Sequence, residues 1–229
     1  MVAECTGVFN SFEKSKAHLE AGAKKVVLSG PTKDPQDMKF ADERIGATVL
    51  MGVNDEKTRI CHITSNGSCT TNAVTLPIKI LDEAFGVESS LMTTIHSYTA
   101  SQSLVDGPVK PGKDVRRGRA AAQNIIPTTT GSSKAVPKVY EQVAGKFDSL
   151  AIRVPTIAGS LVDLTVLLKE KVSEEDIKNI FLQAENEYSK VLKTTKEPLV
   201  SSDIIGDNHA AIVDLNFIRI SGNLVKVLI

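Results

Sequence analysis

The length of the strand-like segments changes near residue 65, and this change constrains the fold more than any other feature of the sequence. Before it, a short apolar run at residues 25–29 follows a helical pattern, as in parallel sheets covered by helices. After it, residues 90–98 form a long strand-like run with Leu91, Thr93, Ile95 and Ser97 on one side, and residues 210–220 form a similarly long run. We therefore predict a parallel α/β domain in residues 1–65 and an α+β domain with a mostly antiparallel sheet in residues 66–229.

Serine residues mark the beginnings of two predicted helices. Ser11 precedes a helical pattern at residues 12–21, and Ser173 precedes three acids and the apolar positions Ile177 and Phe181. A serine cap and first-turn acids both suit the positive end of a helix dipole. Further strands are predicted at residues 47–53, 59–64, 149–154, 162–169 and 224–229, with a hairpin turn at 221–223.

Composition excludes several classes of protein. The 229 residues carry 27 basic and 27 acidic side chains, so no net charge attracts nucleic acid or an anionic membrane. No apolar run approaches the 18 or more residues that cross a bilayer. Three cysteines are too few and too oddly spaced for a disulfide scaffold or a zinc site. We predict a soluble cytoplasmic protein in which any reactive cysteine acts as a lone thiol, with no metal site.

The most informative stretch is residues 65–72, Ser-Asn-Gly-Ser-Cys-Thr-Thr-Asn, which follows a strand and precedes a helical pattern. A cysteine at such a turn lies beside unpaired backbone N–H groups, which favour its thiolate and can hold an oxyanion. Pro77 should remove one N–H and kink the first turns of this helix. By itself the pattern also fits a buried cysteine near a helix cap.

His96 follows Cys69 by 27 residues and ends a predicted strand. At a neighbouring strand end it could support a thiolate or move a proton, although a structural histidine fits the same pattern. Of the other histidines, His18 and His209 are predicted to be solvated and His62 to be structural.

Six segments, in this order, resemble the glyceraldehyde-3-phosphate dehydrogenase family: residues 4–9, 65–72, 96–102, 105–108, 117–131 and 153–156. The resemblance implies that residues 1–65 are the later part of a Rossmann-type domain and that residues 66–229 are the catalytic domain. It makes Cys69 the nucleophile that adds to the aldehyde of glyceraldehyde 3-phosphate. His96 would assist thiolate formation and then take the hydroxyl proton as hydride passes to NAD. The resulting thioester would be cleaved by inorganic phosphate.

The resemblance also implies two anion pockets and a homotetramer. Thr99, Ser101 and Arg153 match one pocket, because hydroxyls and a guanidinium suit a phosphate. The other pocket and two cofactor contacts are implied by a further set of residues: Ser68, Thr70, Arg117, Thr130 and Gly131 for phosphate, and Thr6 and Ser29 for NAD. From the residues alone, a Thr/Ser/Gly run is more often a turn or cap, and an arginine cluster is more often a solvated face.

The chain departs from the family pattern at three places. No Gly-x-Gly dinucleotide loop and no Tyr-Asp-Asn-Glu segment occurs, and a polar insertion lies at residues 35–44. We therefore expect an internal portion of such an enzyme that binds NAD weakly on its own. Three other functions remain open at this stage: an erythrose-4-phosphate dehydrogenase, a thiol hydrolase using Cys69 and His96, and a non-catalytic piece that acts only in assembly.

Overall fold

The computed structural model describes residues 1–34, 45–112 and 114–229, so the predicted insertion at residues 35–44 lies outside the described residues. The chain forms two compact units, Met1–Asn72 and Ala73–Ile229. The predicted domain boundary after residue 65 falls slightly before this division. In the described part of the chain, no helix is both long and apolar enough to cross a membrane.

The first unit is a parallel sheet with helices. Its elements in chain order are β1 (Val2–Glu4), α1 (Phe12–Glu20), β2 (Val26–Leu28), β3 (Gly46–Thr48), α2 (Lys57–Ile60) and β4 (Ile63–Ser65). The strands lie in the order β1-β2-β4-β3, and every pair is parallel, as predicted. Phe12, Val26, Leu28 and Ile63 form a buried cluster between α1 and the sheet. The Ser11 cap is confirmed, because its hydroxyl accepts a hydrogen bond from the Lys14 N–H.

Two strand predictions in this unit are partly wrong, because a turn replaces extended chain. The predicted strand at residues 47–53 ends at Thr48, and the Leu50 N–H donates to the side chain of Asn54 at 2.8 Å. The predicted strand at residues 59–64 begins only at Ile63. Arg59 belongs to α2, where its N–H donates to the Glu56 carbonyl.

The second unit contains a seven-stranded sheet with helices. Its elements are α3 (Cys69–Phe85), which begins in the first unit, β5 (Val87–Ser97), β6 (Ile126–Thr129), α4 (Ser132–Val139), β7 (Phe147–Val154), β8 (Ser160–Leu168), α5 (Glu174–Glu187), β9 (Leu192–Thr195), β10 (Ala211–Ser221) and β11 (Leu224–Leu228). The strand order is β6-β7-β5-β8-β11-β10-β9. The pairs β5·β7 and β9·β10 are parallel and the other four pairs are antiparallel, which confirms the mostly antiparallel sheet.

The two faces of this sheet differ in exposure. Alternate residues such as Met92, Leu164 and Val225 are buried on one face, and α5 packs on β9 and β10 through the buried side chains of Ile177 and Phe181. On the other face, large apolar side chains are exposed. These are Leu91, Leu150, Leu161 and Leu224, which the strand registers place on one side of the sheet.

Candidate active site

Cys69 is the first residue of α3, directly after the turn that leaves β4. The turn depends on Gly67, whose φ of +66° is unfavourable for other residues. A Cβ there would also lie 3.2 Å from Leu50 Cδ2. Ser68 behaves as a helix cap, because its Oγ accepts a hydrogen bond from the Thr71 N–H at 3.1 Å. The predicted turn between strand and helix is therefore present, and α3 runs on through Pro77.

The Cys69 thiol is exposed at the positive end of this helix, with Thr70 Oγ1 3.8 Å from its sulfur. The thiol of Cys61, by contrast, is buried, and burial raises its pKa. An exposed sulfur at a helix N-terminus is favoured as thiolate, whereas a buried one remains protonated. The two environments make Cys69 the better candidate for a nucleophile.

In the second unit, His96 and Arg153 lie side by side on parallel strands. They are direct partners in the register of β5 with β7. Arg153 Nη1 lies 2.6 Å from His96 Nδ1 and 3.0 Å from the Ser97 carbonyl oxygen, to which it donates. His96 Nδ1 is also 2.8 Å from that carbonyl oxygen. The structure thus brings together two side chains that the sequence analysis assigned to proton transfer and to phosphate binding.

The loop after β5 presents the hydroxyls of Thr99 and Ser101, whose oxygens lie 2.9 Å apart. Sequence reasoning missed Gln102, which is buried and whose Oε1 accepts hydrogen bonds from the Thr99 N–H and the Thr99 hydroxyl. Its Nε2 is buried without a hydrogen-bond partner among the described residues. The only signal in the sequence was that Gln102 belongs to the same motif as Thr99 and Ser101.

The three arginines at residues 116–119 have different partners. Arg116 pairs with Asp114 at 2.8 Å and Arg119 with Asp106 at 3.2 Å, as surface arginines commonly do. Arg117 instead turns toward β6, where its Nη2 donates to the buried Thr128 hydroxyl at 3.0 Å. Of these three, Arg117 is therefore the one whose guanidinium meets the sheet.

Thr130 and Gly131 lie between β6 and α4. Thr130 Oγ1 accepts a hydrogen bond from the Ser132 N–H at 3.3 Å, and Gly131 is the exposed N-cap residue. A Cβ on Gly131 would meet nothing within 4 Å. The backbone at this helix start is accordingly open to solvent.

At the carboxyl ends of β1 and β2, the first unit contains a cavity of about 320 Å³. Ser29 lines it, together with Gly7 and Gly30, where an added Cβ would meet nothing within 4 Å. Ligands of open parallel sheets bind at such carboxyl edges. Thr6 is not among the described residues of the wall, because its hydroxyl and N–H both donate to the buried carboxylate of Glu4.

The remaining histidines differ from their predictions. His18 is bonded through Nε2 to Glu4 at 2.9 Å and packs on Phe9, so it is not simply solvated. His209 lies at hydrogen-bond distance from Asp207. Hydrogen bonds from the His209 N–H, the His209 ring and Lys193 lower the pKa of the Asp207 carboxyl well below its usual range. His62 is exposed and precedes β4. His18 differs from its prediction because its partner Glu4 is distant from it in sequence.

Known proteins resemble this chain over nearly its whole length. A family model described as "Glyceraldehyde 3-phosphate dehydrogenase, C-terminal domain" matches residues 68–229. The chain belongs to the glyceraldehyde-3-phosphate dehydrogenase family. Curated proteins named glyceraldehyde-3-phosphate dehydrogenase are 46% identical in Mycobacterium avium, 45% in Sclerotinia sclerotiorum and 43% in Mycobacterium leprae. Each alignment covers 99% of this chain and 64% of the relative.

The family model covers the positions that matter most for the predicted chemistry. It begins at Ser68, so Cys69, His96 and Arg153 all lie inside the glyceraldehyde-3-phosphate dehydrogenase match. The cavity at β1 and β2 lies before it.

Proposed function

We propose that this chain carries the catalytic residues of a phosphorylating, NAD-dependent glyceraldehyde-3-phosphate dehydrogenase. Cys69 adds through sulfur to the aldehyde of glyceraldehyde 3-phosphate and forms a thiohemiacetal. His96 takes the hydroxyl proton as the carbon is oxidised, which leaves an acyl thioester on the sulfur. Inorganic phosphate then displaces the thiolate and gives 1,3-bisphosphoglycerate. A thioester suits this sequence of steps because it remains activated toward acyl transfer.

Two groups of side chains supply the phosphate-binding chemistry. Thr99, Ser101 and Arg153 offer hydroxyls and a guanidinium at the ends of β5 and β7 for the substrate phosphate. The inorganic phosphate is assigned to a second group: Ser68, Thr70, Arg117, Thr130 and Gly131. Arg116 and Arg119 pair with surface carboxylates, whereas Arg117 donates to the Thr128 hydroxyl. This difference supports the assignment of Arg117 to the second group.

We assign part of the cofactor to the cavity of the first unit. At about 320 Å³ it is large enough for one nucleoside-sized portion, and its wall offers the Ser29 hydroxyl and open backbone at Gly7 and Gly30. NAD, when bound, supplies the hydride acceptor. Ser29 would hold the cofactor there, and we assign Thr6 to fixing the loop after β1 by way of Glu4.

The observation that carries the proposal is the placement of the Arg153 guanidinium on the His96 imidazole, beside the Thr99 and Ser101 hydroxyls. An aldehyde-protection assay tests it without cofactor. Glyceraldehyde 3-phosphate should slow alkylation of Cys69 by iodoacetamide, because the thiohemiacetal occupies the sulfur. The rates at Cys5 and Cys61 should not change. Peptide mass spectrometry reads each cysteine separately.

Arginine variants sharpen this assay. Arg153→Gln should raise the aldehyde concentration needed for protection by about tenfold or more, because a charge-assisted phosphate contact is lost. Arg116→Gln is the matched control, because Arg116 pairs with Asp114 on the surface. Equal protection of all three cysteines, or an equal effect of the two variants, would contradict the proposal.

We also propose that the partner of the second unit is another copy of this chain. The exposed face bearing Leu91, Leu150, Leu161 and Leu224 is apolar at several adjoining strands. Such a face favours burial against a protein surface. A second copy is the occupant that the family membership supports.

A further inference from the structure

The contact between Arg153 and His96 fixes where the imidazole carries its proton. Arg153 Nη1 and His96 Nδ1 are 2.6 Å apart. Arginine remains protonated in proteins and its nitrogens only donate, so the shorter contact favours an accepting Nδ1 over the 2.8 Å contact with the Ser97 carbonyl oxygen, which would need an Nδ1–H. A hydrogen on Nδ1 would face the guanidinium hydrogen. The neutral imidazole in this arrangement therefore carries its hydrogen on Nε2.

This tautomer is unsuited to the step proposed above. A ring nitrogen that already carries hydrogen can donate a hydrogen bond, but it cannot take a proton. With Nδ1 engaged by Arg153, His96 has no basic nitrogen to offer. The Ser97 carbonyl oxygen, 2.8 Å from Nδ1, provides the alternative. Once the guanidinium moves away, Nδ1–H can donate to that oxygen and Nε2 becomes the acceptor.

A phosphate is the ligand that can move the guanidinium. Arginine binds phosphate oxygens through two parallel charge-assisted hydrogen bonds, which are stronger than a bond to a neutral imidazole. The hydroxyls of Thr99 and Ser101 lie in the loop that follows His96 and match the same anion pocket. The register places the neutral Ser160 of β8 beside His96. The charged Asp163 of that strand lies opposite Thr93, on the other face of the sheet, where it pairs with Lys226 at 2.7 Å.

We propose that Arg153 is a positioning residue that holds His96 in the inactive Nε2–H tautomer until a phosphomonoester takes the guanidinium. The imidazole then changes to the Nδ1–H tautomer, bonded to the Ser97 carbonyl, with Nε2 able to accept a proton. Arg153 in this way couples arrival of the phosphate to formation of the base. The inference rests on the proposed function for the identity of the anion pocket, but the tautomer itself does not depend on it.

Nitrogen NMR of the chain labelled with ¹⁵N-histidine tests this inference directly. Without anion, His96 should show a protonated Nε2 and a bare Nδ1. Saturating glycerol 3-phosphate, a phosphomonoester without an aldehyde, should invert this pattern. A second titration uses inorganic phosphate in place of glycerol 3-phosphate. His209, held by Asp207, should keep its pattern and serves as the internal control.

Two variants separate positioning from general structural damage. Arg153→Gln should give the Nδ1–H tautomer of His96 without any phosphate, with the His18, His62 and His209 signals unchanged. Thr99→Val should keep the resting Nε2–H tautomer and raise the glycerol 3-phosphate concentration for inversion by about three- to tenfold, because one hydrogen bond to phosphate is lost. The second variant remains informative if the first fails to fold.

Two results would overturn the inference. One is an Nδ1–H tautomer of His96 in the anion-free chain. The other is an Nε2–H tautomer that survives saturation with both phosphates. Neither result bears on aldehyde protection of Cys69, so failure of the exchange and failure of the proposed function are distinguishable.

Discussion

The carboxylate of Glu4 is stabilised by hydrogen bonds from Thr6, two residues further on, and from His18 on α1. Glu4 is the last residue of β1, and its side chain is 3% exposed. The Thr6 hydroxyl, the His18 ring and the Thr6 N–H all contact its two oxygens. These hydrogen bonds hold the pKa of Glu4 below its usual range, and the bond from the Thr6 hydroxyl contributes most. The carboxylate therefore fixes the loop that borders the cavity of the first unit.

The stability of this unit should consequently fall in acid. Because the folded pKa of Glu4 is lowered, its contribution is complete above the unfolded value of about 4.3 and is lost as pH falls through the folded pKa. Urea unfolding of Glu4→Gln should therefore depend less on pH between about pH 5 and 3 than that of the unmodified chain. Glu13→Gln, an exposed change on α1, is the control. Parallel pH profiles for Glu4→Gln and the unmodified chain would refute this role.

At the scale of elements, the helix caps were predictable from sequence and the short turns were not. Ser173 and Asp176 form a reciprocal capping box, because each side chain accepts from the backbone N–H of the other. All of these signals lie within four residues, so the pattern alone identified them. The predicted strands at residues 47–53 and 59–64 carried no such local signal, and the turn after β3 is held by contacts such as the hydrogen bond from the Leu50 N–H to the Asn54 side chain.

The capping box gives a direct test at α5. Ser173→Ala should lower the free energy of unfolding by about 1 kcal/mol, because the Asp176 N–H loses its acceptor at the helix start. Ser189→Ala removes an exposed hydroxyl beyond the helix end and should change stability by less than about 0.5 kcal/mol. Chemical unfolding of both variants measures these changes. Equal losses in the free energy of unfolding would show that the cap does not stabilise the helix.

The segment that carries Arg117 depends on a close approach of two backbone segments, those of Gly107 and Gly118. A Cβ on Gly118 would lie 2.2 Å from the Gly107 carbonyl oxygen, whereas a Cβ on Gly107 would come no nearer than 3.8 Å to its neighbours. Gly118→Ala should therefore destabilise the chain by about 1–3 kcal/mol through overpacking. Gly107→Ala, the matched control, should be nearly neutral. Similar unfolding midpoints for the two variants would contradict the close approach.

The candidate site shows a different limit of sequence reasoning. His96 and Arg153 were both identified, yet with separate roles, because each was judged within its own segment. Their contact arises from the parallel pairing of β5 with β7, and nothing in either segment specifies this register. The same holds for Arg117 and Thr128, whereas the place of Cys69 at a helix start was readable from its neighbours.

At the scale of the whole molecule, the exposed face of the seven-stranded sheet sets the behaviour of the protein in solution. Leu91 and Leu150 are exposed by 66% and 48%, although both lie in the middle of long strands. Neighbouring exposed apolar side chains of this kind mark surfaces that interact with other proteins. Their exposure in a single chain favours self-association through this face.

Sedimentation velocity over a range of protein concentrations tests this association. The unmodified chain should associate, and Leu150→Glu should weaken association at least about tenfold, because a charge is buried without a partner. Val105→Glu places the same charge at a 75% exposed loop position and is the control. A monomer at every concentration, or equal effects of the two changes, would count against a second copy as the partner.

The pairing of β5 with β7 makes the site sensitive to distant packing. Side chains alternate between the faces of a strand, so a slip of β7 by one residue would carry Arg153 to the opposite side of the sheet. Met92 and Ala151, buried on these two strands, help to exclude that slip. Substitutions deep in this hydrophobic layer can therefore separate Arg153 from His96 while both residues are retained, so even conservative changes there are expected to act on the proposed site.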